Sequence, residues 1–542
     1  MIRTRIFPRV LLSLSVVCSC TYGQSATPHL TGVETQRLTP SEVRATRAFT
    51  RAKAMGPGEL YALLLPMPKG ADLHMHLSGA VYAETFIAEG IQQGLCIDPI
   101  QLKFTAPRSG DALGCASGNV PAASALKDQH LYDALVDSFS MRSFVPSSGI
   151  SGHDHFFSTF DRFGGLKDYS GQWLGEVAAR AAAQNEQYLE IMITPPFAKA
   201  AALGYKMGWP SGASTNVSYD QLANLRNELL MGGLRNEIPN DSQQIADAEA
   251  TRDKIEGCDS GTMSSHPACA VNVHFLYQVL RAFPPQQVFA QALLGFETVT
   301  AEMQSGHPHF VGINFVQPED DHTAMSDYHL QMEMLDYLHA VYPKVNISLH
   351  AGELALGMVP PEGLSFHIRE AIDLGHATRI GHGVDVLYEK DAPALLKEMA
   401  EKHIMVEINL TSNDGILGVK GKDHPLAAYR AAHVPVALST DDAGVSRIDL
   451  THEYVRGAEE QSLSYVDLKN MARTSLEHAF FQGESLWTAP DDFTHRKAAC
   501  AAVIMTSSRP TARCAEMLKS SERASEQWDL EHRFAVFEAS IQ

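Results

Sequence analysis

Eight short apolar or β-branched runs, set apart by longer stretches with helical patterning, constrain this chain more than any other feature. They fall at 71–76, 188–194, 271–275, 311–316, 346–350, 379–382, 404–410 and 436–439. Strand–helix alternation sustained over about 400 residues predicts a parallel sheet, because each crossover must bury a helix against the sheet face. Eight such strands predict closure into an α/β (β/α)8 TIM barrel rather than an open doubly wound sheet. No G-x-G-x-x-G or Walker-type loop follows the first run, which weighs against a nucleotide-binding open sheet. Two segments exceed a minimal barrel, 94–130 and 196–268, the second with helical patterns at 219–231 and 241–255.

The barrel region runs over 67–485. Before it, residues 24–66 form a polar arm in which Thr39-Pro40-Ser41-Glu42 reads as a helix cap with a first-turn acid. This arm is a candidate homodimer contact. After the barrel, 486–542 is a polar tail with a terminal helix predicted at 522–539. Residues 1–23 read as a signal peptide: Arg3, Arg5 and Arg9 precede an apolar stretch from Val10 to Val17, broken only by Ser13 and Ser15. A basic tail is the plainer alternative, and Cys20 is the candidate acylation site if the leader is of lipoprotein type. Export, to a periplasm or the extracellular space, is the expected fate. No later stretch has the 18 or so apolar residues that a membrane span requires.

Cysteine usage bears on the same point. Apart from Cys18 and Cys20 in the leader, the chain holds Cys96 and Cys115, Cys258 and Cys269, and Cys500 and Cys514, three sequence-local couples in Gly-, Ser- or Ala-rich segments. An oxidising compartment would close each couple into a disulfide; free or buried thiols are the alternative. With 43 Lys and Arg against 63 Asp and Glu, the net charge is −20, which disfavours the phosphate-neutralising surface that nucleic-acid binding requires.

There are 24 histidines, so spacing rather than presence must decide which carry chemistry. In Asp72-Leu73-His74-Met75-His76-Leu77-Ser78-Gly79, strand alternation points His74 and His76 the same way. Ser348-Leu349-His350-Ala351-Gly352-Glu353 again ends a strand on a histidine and adds a carboxylate three residues later. His382 lies between Gly381 and Gly383, and Asp441-Asp442 ends the last run. These groups close strands one, five, six and eight, the face on which barrel enzymes assemble their sites. His74, His76, His350 and Asp441 form an N and O donor set that zinc accepts, with one Zn2+ per chain expected. Glu353 and His382 have the chemistry to move protons beside such an ion, and Asp442 to hydrogen-bond a ring nitrogen.

The helical spacing of Phe156, Phe160 and Phe163 fits core packing or an apolar wall over a substrate. His153 and His155, in a helix or loop, would not share a face and are not read as ligands; His367 reads as a cap or core residue.

The strings DLHMHLSGA, SLHAGE, RIGHG, EINLTSN and LSTDDA, in this order, resemble the adenosine deaminase family of the amidohydrolase superfamily over roughly residues 66–485. The resemblance implies deamination of adenosine and 2′-deoxyadenosine. It implies a zinc held by His74, His76, His350 and Asp441, Glu353 as proton donor to the purine N1, His382 as the residue that orients and deprotonates water, and Asp442 as the N7 contact. The leader, arm and cysteine-bearing insertions look more like the secreted, growth-factor-related branch. Substrate contacts are expected from Ser78, Gly79, Gln317, Glu319, Phe156 and Phe160. Ser78 stands where many members have an aspartate contacting the ribose 5′-hydroxyl, and Gln317 where a glycine meets the purine. A different 6-aminopurine or modified nucleoside is therefore a live alternative, as is a secreted nucleoside-binding or signalling protein.

Overall fold

The computed structural model describes residues 38–541 except 109–113, 148, 168, 214–215, 259–265, 307 and 502–508. The leader with Cys18 and Cys20, and the start of the arm, lie outside the described residues.

Each of the eight runs is a strand, and all eight form one parallel sheet in sequence order. They are β1 (Gly70–His76), β2 (Glu186–Ile193), β3 (Asn272–Leu280), β4 (Phe310–Val316), β5 (Asn346–Ala351), β6 (Arg379–His382), β7 (Met405–Ile408) and β8 (Val436–Leu438). The sheet closes on itself through a parallel bridge between Met75 and Asp441, where the Asp441 N–H donates to the His74 carbonyl at 2.8 Å. The expected TIM barrel is the fold.

The strands are readable as continuous apolar runs because both of their faces are covered. Every residue of β2 and β4 is buried. Fully burying one Leu or Ile side chain stabilises the fold by about 1.5–3 kcal/mol. On the outside, the helix Pro285–Ser305 lays Val288, Phe289, Leu293 and Phe296 against the sheet; it opens on a proline in its first turn and stops at Gly306.

Two boundaries differ from expectation, and both matter for the site. β3 continues five residues past Phe275, because Leu276 to Leu280 go on filling the wall, and this carries Gln278 to the barrel mouth. β7 stops at Ile408, and Leu410–Leu417 turns into a short helix that aims Ser412 and Asn413 inward.

The arm helix, α1 (Pro40–Met55), has the expected cap: Thr39 Oγ1 accepts from the Glu42 N–H and Glu42 returns a bond to the Thr39 N–H. Its Ala45 and Phe49 are buried within this chain, and Glu42 and Ser41 reach Lys469 and Glu538. The tail helix spans Glu522–Ser540 and docks by the N-terminal ends of β2 and β3, where Gln187 and Asn272 donate to Glu526 and Glu522. Three disulfides join Cys96 to Cys115, Cys258 to Cys269 and Cys500 to Cys514. The first staples a three-stranded antiparallel insert, the second the helical insertion, and the third a small core around Trp487 and Trp528 in the tail. Among the described residues, no helix is long and apolar enough to cross a membrane.

Candidate active site

Four histidines and two aspartates meet at the C-terminal mouth of the barrel. Each histidine is held by its Nδ1 atom. That of His74 lies 2.6 Å from Glu407 Oε2, that of His76 2.9 Å from Gln278 Oε1, that of His350 2.8 Å from Asn314 Oδ1, and that of His382 2.9 Å from Asn413 Oδ1. All four partners are oxygen acceptors, so each Nδ1 carries a proton, and in the neutral ring that a metal ligand requires this leaves Nε2 with the lone pair.

Those lone pairs converge. The Nε2 atoms of His76 and His350 are 3.2 Å apart, and Asp441 Oδ1 lies 3.6 Å from His74 Nε2 and 3.3 Å from His76 Nε2. His74 Nε2 is buried with no hydrogen-bond partner. Neutral imidazole lone pairs this close repel one another unless a cation lies between them. Three nitrogens and one carboxylate oxygen are a fitting donor set for a divalent metal of the zinc type. His382 also falls within the wider group of donors that includes His74, His350 and Asp441. It lies on the other side of Asp441, 4.0 Å from Oδ2, and that oxygen is already bonded by the Ser412 hydroxyl at 2.7 Å. The set expected from the sequence, His74, His76, His350 and Asp441, draws on two overlapping groups of donors, one of His74, His350, His382 and Asp441 and the other of His76, Asp441 and Asp442.

The backbone is shaped to bring this about. His382 and Asp441 have φ of 67° and 57°, left-handed values that cost non-glycine residues energy and that concentrate at functional sites. Gly381 allows the His74 ring to approach, since a Cβ there would lie 2.5 Å from His74 Cε1. Gly79 does the same for Asp442, with a Cβ only 1.4 Å from Asp442 Oδ1. Gly79 thus makes room for a functional carboxylate, while Asp442 Oδ1 is buried and unpaired.

Protonation divides these groups. Burial, together with the charges of Asp441 and Glu319, pushes the Glu353 carboxyl well above its usual range. Burial and the adjacent Asp441 raise Asp442 to about 8. Burial, reinforced by His74 and opposed by Asp441, holds His382 down to about 4. Both shifts favour the uncharged forms of two groups that face each other, with Glu353 Oε1 3.7 Å from His382 Nε2.

A cavity of about 410 Å3 opens above them. Phe156, Phe157 and Phe160 on α2 (Gly152–Phe163) form one wall, and Leu280, Val316, Gln317 and Pro318 another. Phe156 and Phe163 also belong to a buried cluster beneath the helix, the core packing that their helical spacing expects. Ser78 lines the cavity as expected. Gln317 does too, at φ 93°, with its carbonyl gripped by Arg281 Nη2 at 3.1 Å.

Glu319 does not line the cavity. It is buried behind it and accepts the Gly352 and Glu353 N–H groups at 3.0 and 2.6 Å, clamping the turn that presents Glu353. Burial raises its carboxyl, but His367, with Nδ1 2.8 Å away, and Arg281 overcome that and hold it down to about 2. His367 is the core residue anticipated, and His153 and His155 take Asp320 and the Phe144 ring rather than a metal.

Sequence reasoning gives no role to Gln278, Asn314, Glu407, Ser412 or Asn413, the residues that fix the tautomers and Asp441. Their signal is weak but present: a lone Asn in the apolar run Phe310–Val316, and the polar residues of EINLTSN.

Residues 236–486 match the family model described as adenosine deaminase. Over this segment the chain is similar to the adenosine deaminase family. An adenosine deaminase of Shewanella loihica is 37% identical over 135 residues, 25% of this chain and 38% of that protein. One from Clostridium perfringens is 34% identical over 139 residues, 26% and 39% of the two chains. The matched segment thus spans about two fifths of these curated relatives. Among solved structures, an amidohydrolase from Burkhoderia ambifaria with bound zinc shares the fold, at 17% identity and TM-score 0.50 over 78% of this chain and 88% of that one. The family match begins after β2, so His74 and His76 are joined to it by the barrel closure that ties the His74 carbonyl to Asp441.

Proposed function

We propose that the protein is a zinc-dependent hydrolase that converts adenosine and 2′-deoxyadenosine to inosine and 2′-deoxyinosine, releasing ammonia. The observation that carries this reading is the convergence of His74, His76, His350 and Asp441 beside Glu353 and His382, both biased toward their uncharged forms. His74, His76, His350 and Asp441 would hold the ion. When bound, zinc supplies a water whose pKa is lowered to about 7.

The chain's own groups do the rest. His382 accepts the proton of the attacking water through Nε2. Glu353 delivers its proton to the ring nitrogen next to the amino-bearing carbon, so that carbon takes up the water oxygen as the ring gains a hydrogen. Asp442, with Oδ1 unpaired and its carboxyl raised, bonds a second ring nitrogen and fixes the purine. His382 then passes its proton to the amino group, which leaves as ammonia while the added hydroxyl becomes the carbonyl and returns its proton to Glu353. Acid–base assistance of this kind contributes about 10²- to 10⁴-fold in rate. The Phe156, Phe157 and Phe160 wall packs on the aromatic base and keeps water out, and no Lys or Arg lines the cavity, in keeping with an uncharged substrate.

A related 6-aminopurine or modified nucleoside is the second reading. It is favoured by the uncharged Ser78 and by Gln317 held in a left-handed conformation on the cavity wall. A pure binding protein is disfavoured because binding alone has no need of the paired Glu353 and His382. The three disulfides support export to an oxidising compartment, by cleavage of residues 1–23 or by acylation of Cys20. Metal content, measured together with loss of adenine-type ultraviolet absorbance on a panel of nucleosides, tests the function. One metal per chain with turnover of adenosine is expected; a metal-loaded protein that turns over no 6-aminopurine would overturn it.

A further inference from the structure

Beside the main cavity lies a second chamber of about 160 Å3 that the chemistry above does not use. Ser78 and Gln278 border both spaces. The chamber is completed by Thr194 after β2, by Ser170 and Trp173 on the helix Ser170–Ala183, and by Gln244 on the helix Ile238–Glu256. Gln244 brings the 196–268 insertion to the edge of the barrel mouth, where a minimal barrel would have nothing.

The walls carry no charged side chain and set the polar groups of Ser78, Thr194, Gln244 and Gln278 among the apolar Leu77, Met192 and Ile193. Gln278 Oε1 is committed to His76, which orients the amide so that its NH2 faces away from that bond, with no protein partner among the described residues. The hydroxyls of Ser78 and Thr194 likewise have none. Two hydroxyls able to donate or accept, and an amide able to donate, suit a ligand group that itself carries hydroxyl or ether oxygens. Trp173, whose indole N–H is taken by Glu89 at 2.8 Å, offers its ring to C–H surface. An anionic group would find no cationic side chain in the lining.

We propose that this chamber is a subsite for an uncharged, hydroxyl- or ether-bearing substituent on the sugar of the nucleoside, which extends the substrate range to neutral sugar-modified 6-aminopurine nucleosides. This rests on the aminopurine reading above. Thr194 and Gln244 are its specificity-determining residues, and neither lines the main cavity.

The test compares adenosine, its 2′-, 3′- and 5′-O-methyl derivatives and adenosine 5′-monophosphate on the metal-loaded protein. The wild type is expected to turn over at least one O-methyl nucleoside about as efficiently as adenosine, and the monophosphate poorly. Thr194→Phe, at a residue that lines the chamber and not the main cavity, should raise KM for that nucleoside about tenfold or more. Its kcat, and both constants for adenosine, should stay within about twofold, and the smaller Thr194→Val should show a weaker form of the same split. Gln244→Phe, on the insertion helix, is a second plug if Thr194→Phe does not fold. The proposal falls if the wild type already rejects every O-methyl derivative, if it prefers the monophosphate, or if the folded plug variants shift adenosine and its derivatives equally. If no 6-aminopurine is turned over at all, ligand-induced Tm shifts separate the two ideas. The chamber stands if Thr194→Phe removes the shift from an O-methyl nucleoside and keeps that from adenosine, and it falls otherwise.

Discussion

The barrel interior holds two buried polar layers that obey opposite rules. In the deeper layer the Arg379 guanidinium lies between Glu190 and Glu407, each at 2.7 Å, and over the Phe480 ring. Tyr188 donates to Glu190, and Ser348 to Glu407. Charge is matched there, and all the polar atoms but Arg379 Nη2 are paired. In the upper layer, at the mouth, His74 Nε2, His382 Nε2 and Asp442 Oδ1 are equally buried and unpaired. Leaving a buried polar group unpaired costs about 1–3 kcal/mol, so the mouth gives up stability that the deeper layer retains. The two layers meet at Glu407, which turns one oxygen to Arg379 and the other to His74. Saturated pairs mark support, and unsaturated ones mark the place where a ligand completes the structure.

That contrast can be broken by measurement. The largest effect should come from the upper layer: Glu353→Gln removes the deliverable proton and should lower kcat by about 10²- to 10⁴-fold, with bound metal and Tm retained. Activity near the wild-type value would mean that another group is the acid. In the deeper layer, Arg379→Met leaves two buried carboxylates without their cationic partner and should destabilise the fold by about 3–5 kcal/mol, read as a lower denaturation midpoint. An unchanged midpoint would show that the deeper layer is not the support it resembles. Glu407→Gln tests the junction: it weakens the bond that orients His74 and should cost about 10- to 100-fold in metal affinity, measured by competition with a chelator.

The smallest effect concerns acid stability. The Glu319 carboxyl lies at about 2 against an ordinary 4.5. A depressed carboxylate stabilises the folded state above pH 4.5, and that contribution is lost as the pH falls toward 2. Glu319→Gln should therefore flatten the fall in Tm over this acid range; a Tm profile unchanged from the wild type would remove Glu319 from the clamp on the Glu353 turn.

Much of this architecture is legible in the amino-acid order, for a reason that differs by region. The strands are readable because both of their faces are buried, so apolar content marks them without help from partners; Phe310–Val316 is the clearest case. His74 and His76 are readable because alternation alone puts them on one face. Gln278 is not, because nothing in the sequence shows that β3 runs on past Phe275. Glu319 is expected on the substrate, when its carboxylate in fact grips the backbone of a neighbouring turn. That outcome depends on where residues 319 and 352–353 meet in space, which no local pattern encodes. The arm reads as a candidate dimer contact, yet Ala45 and Phe49 are covered within the chain itself.

By itself, the sequence determined the barrel, the four strand ends that carry chemistry, and the residue types able to bind a metal and move protons. These follow from periodicity and from the chemistry of single side chains, which are local properties. The tertiary structure alone decided which nitrogen of each histidine is tied to an oxygen acceptor, which oxygen of Asp441 faces His74 and His76, and which carboxyls burial pushes toward their neutral form. These depend on partners as distant along the chain as Glu407 from His74, and a hydrogen bond or a desolvated charge exists only once the chain has brought its partners together.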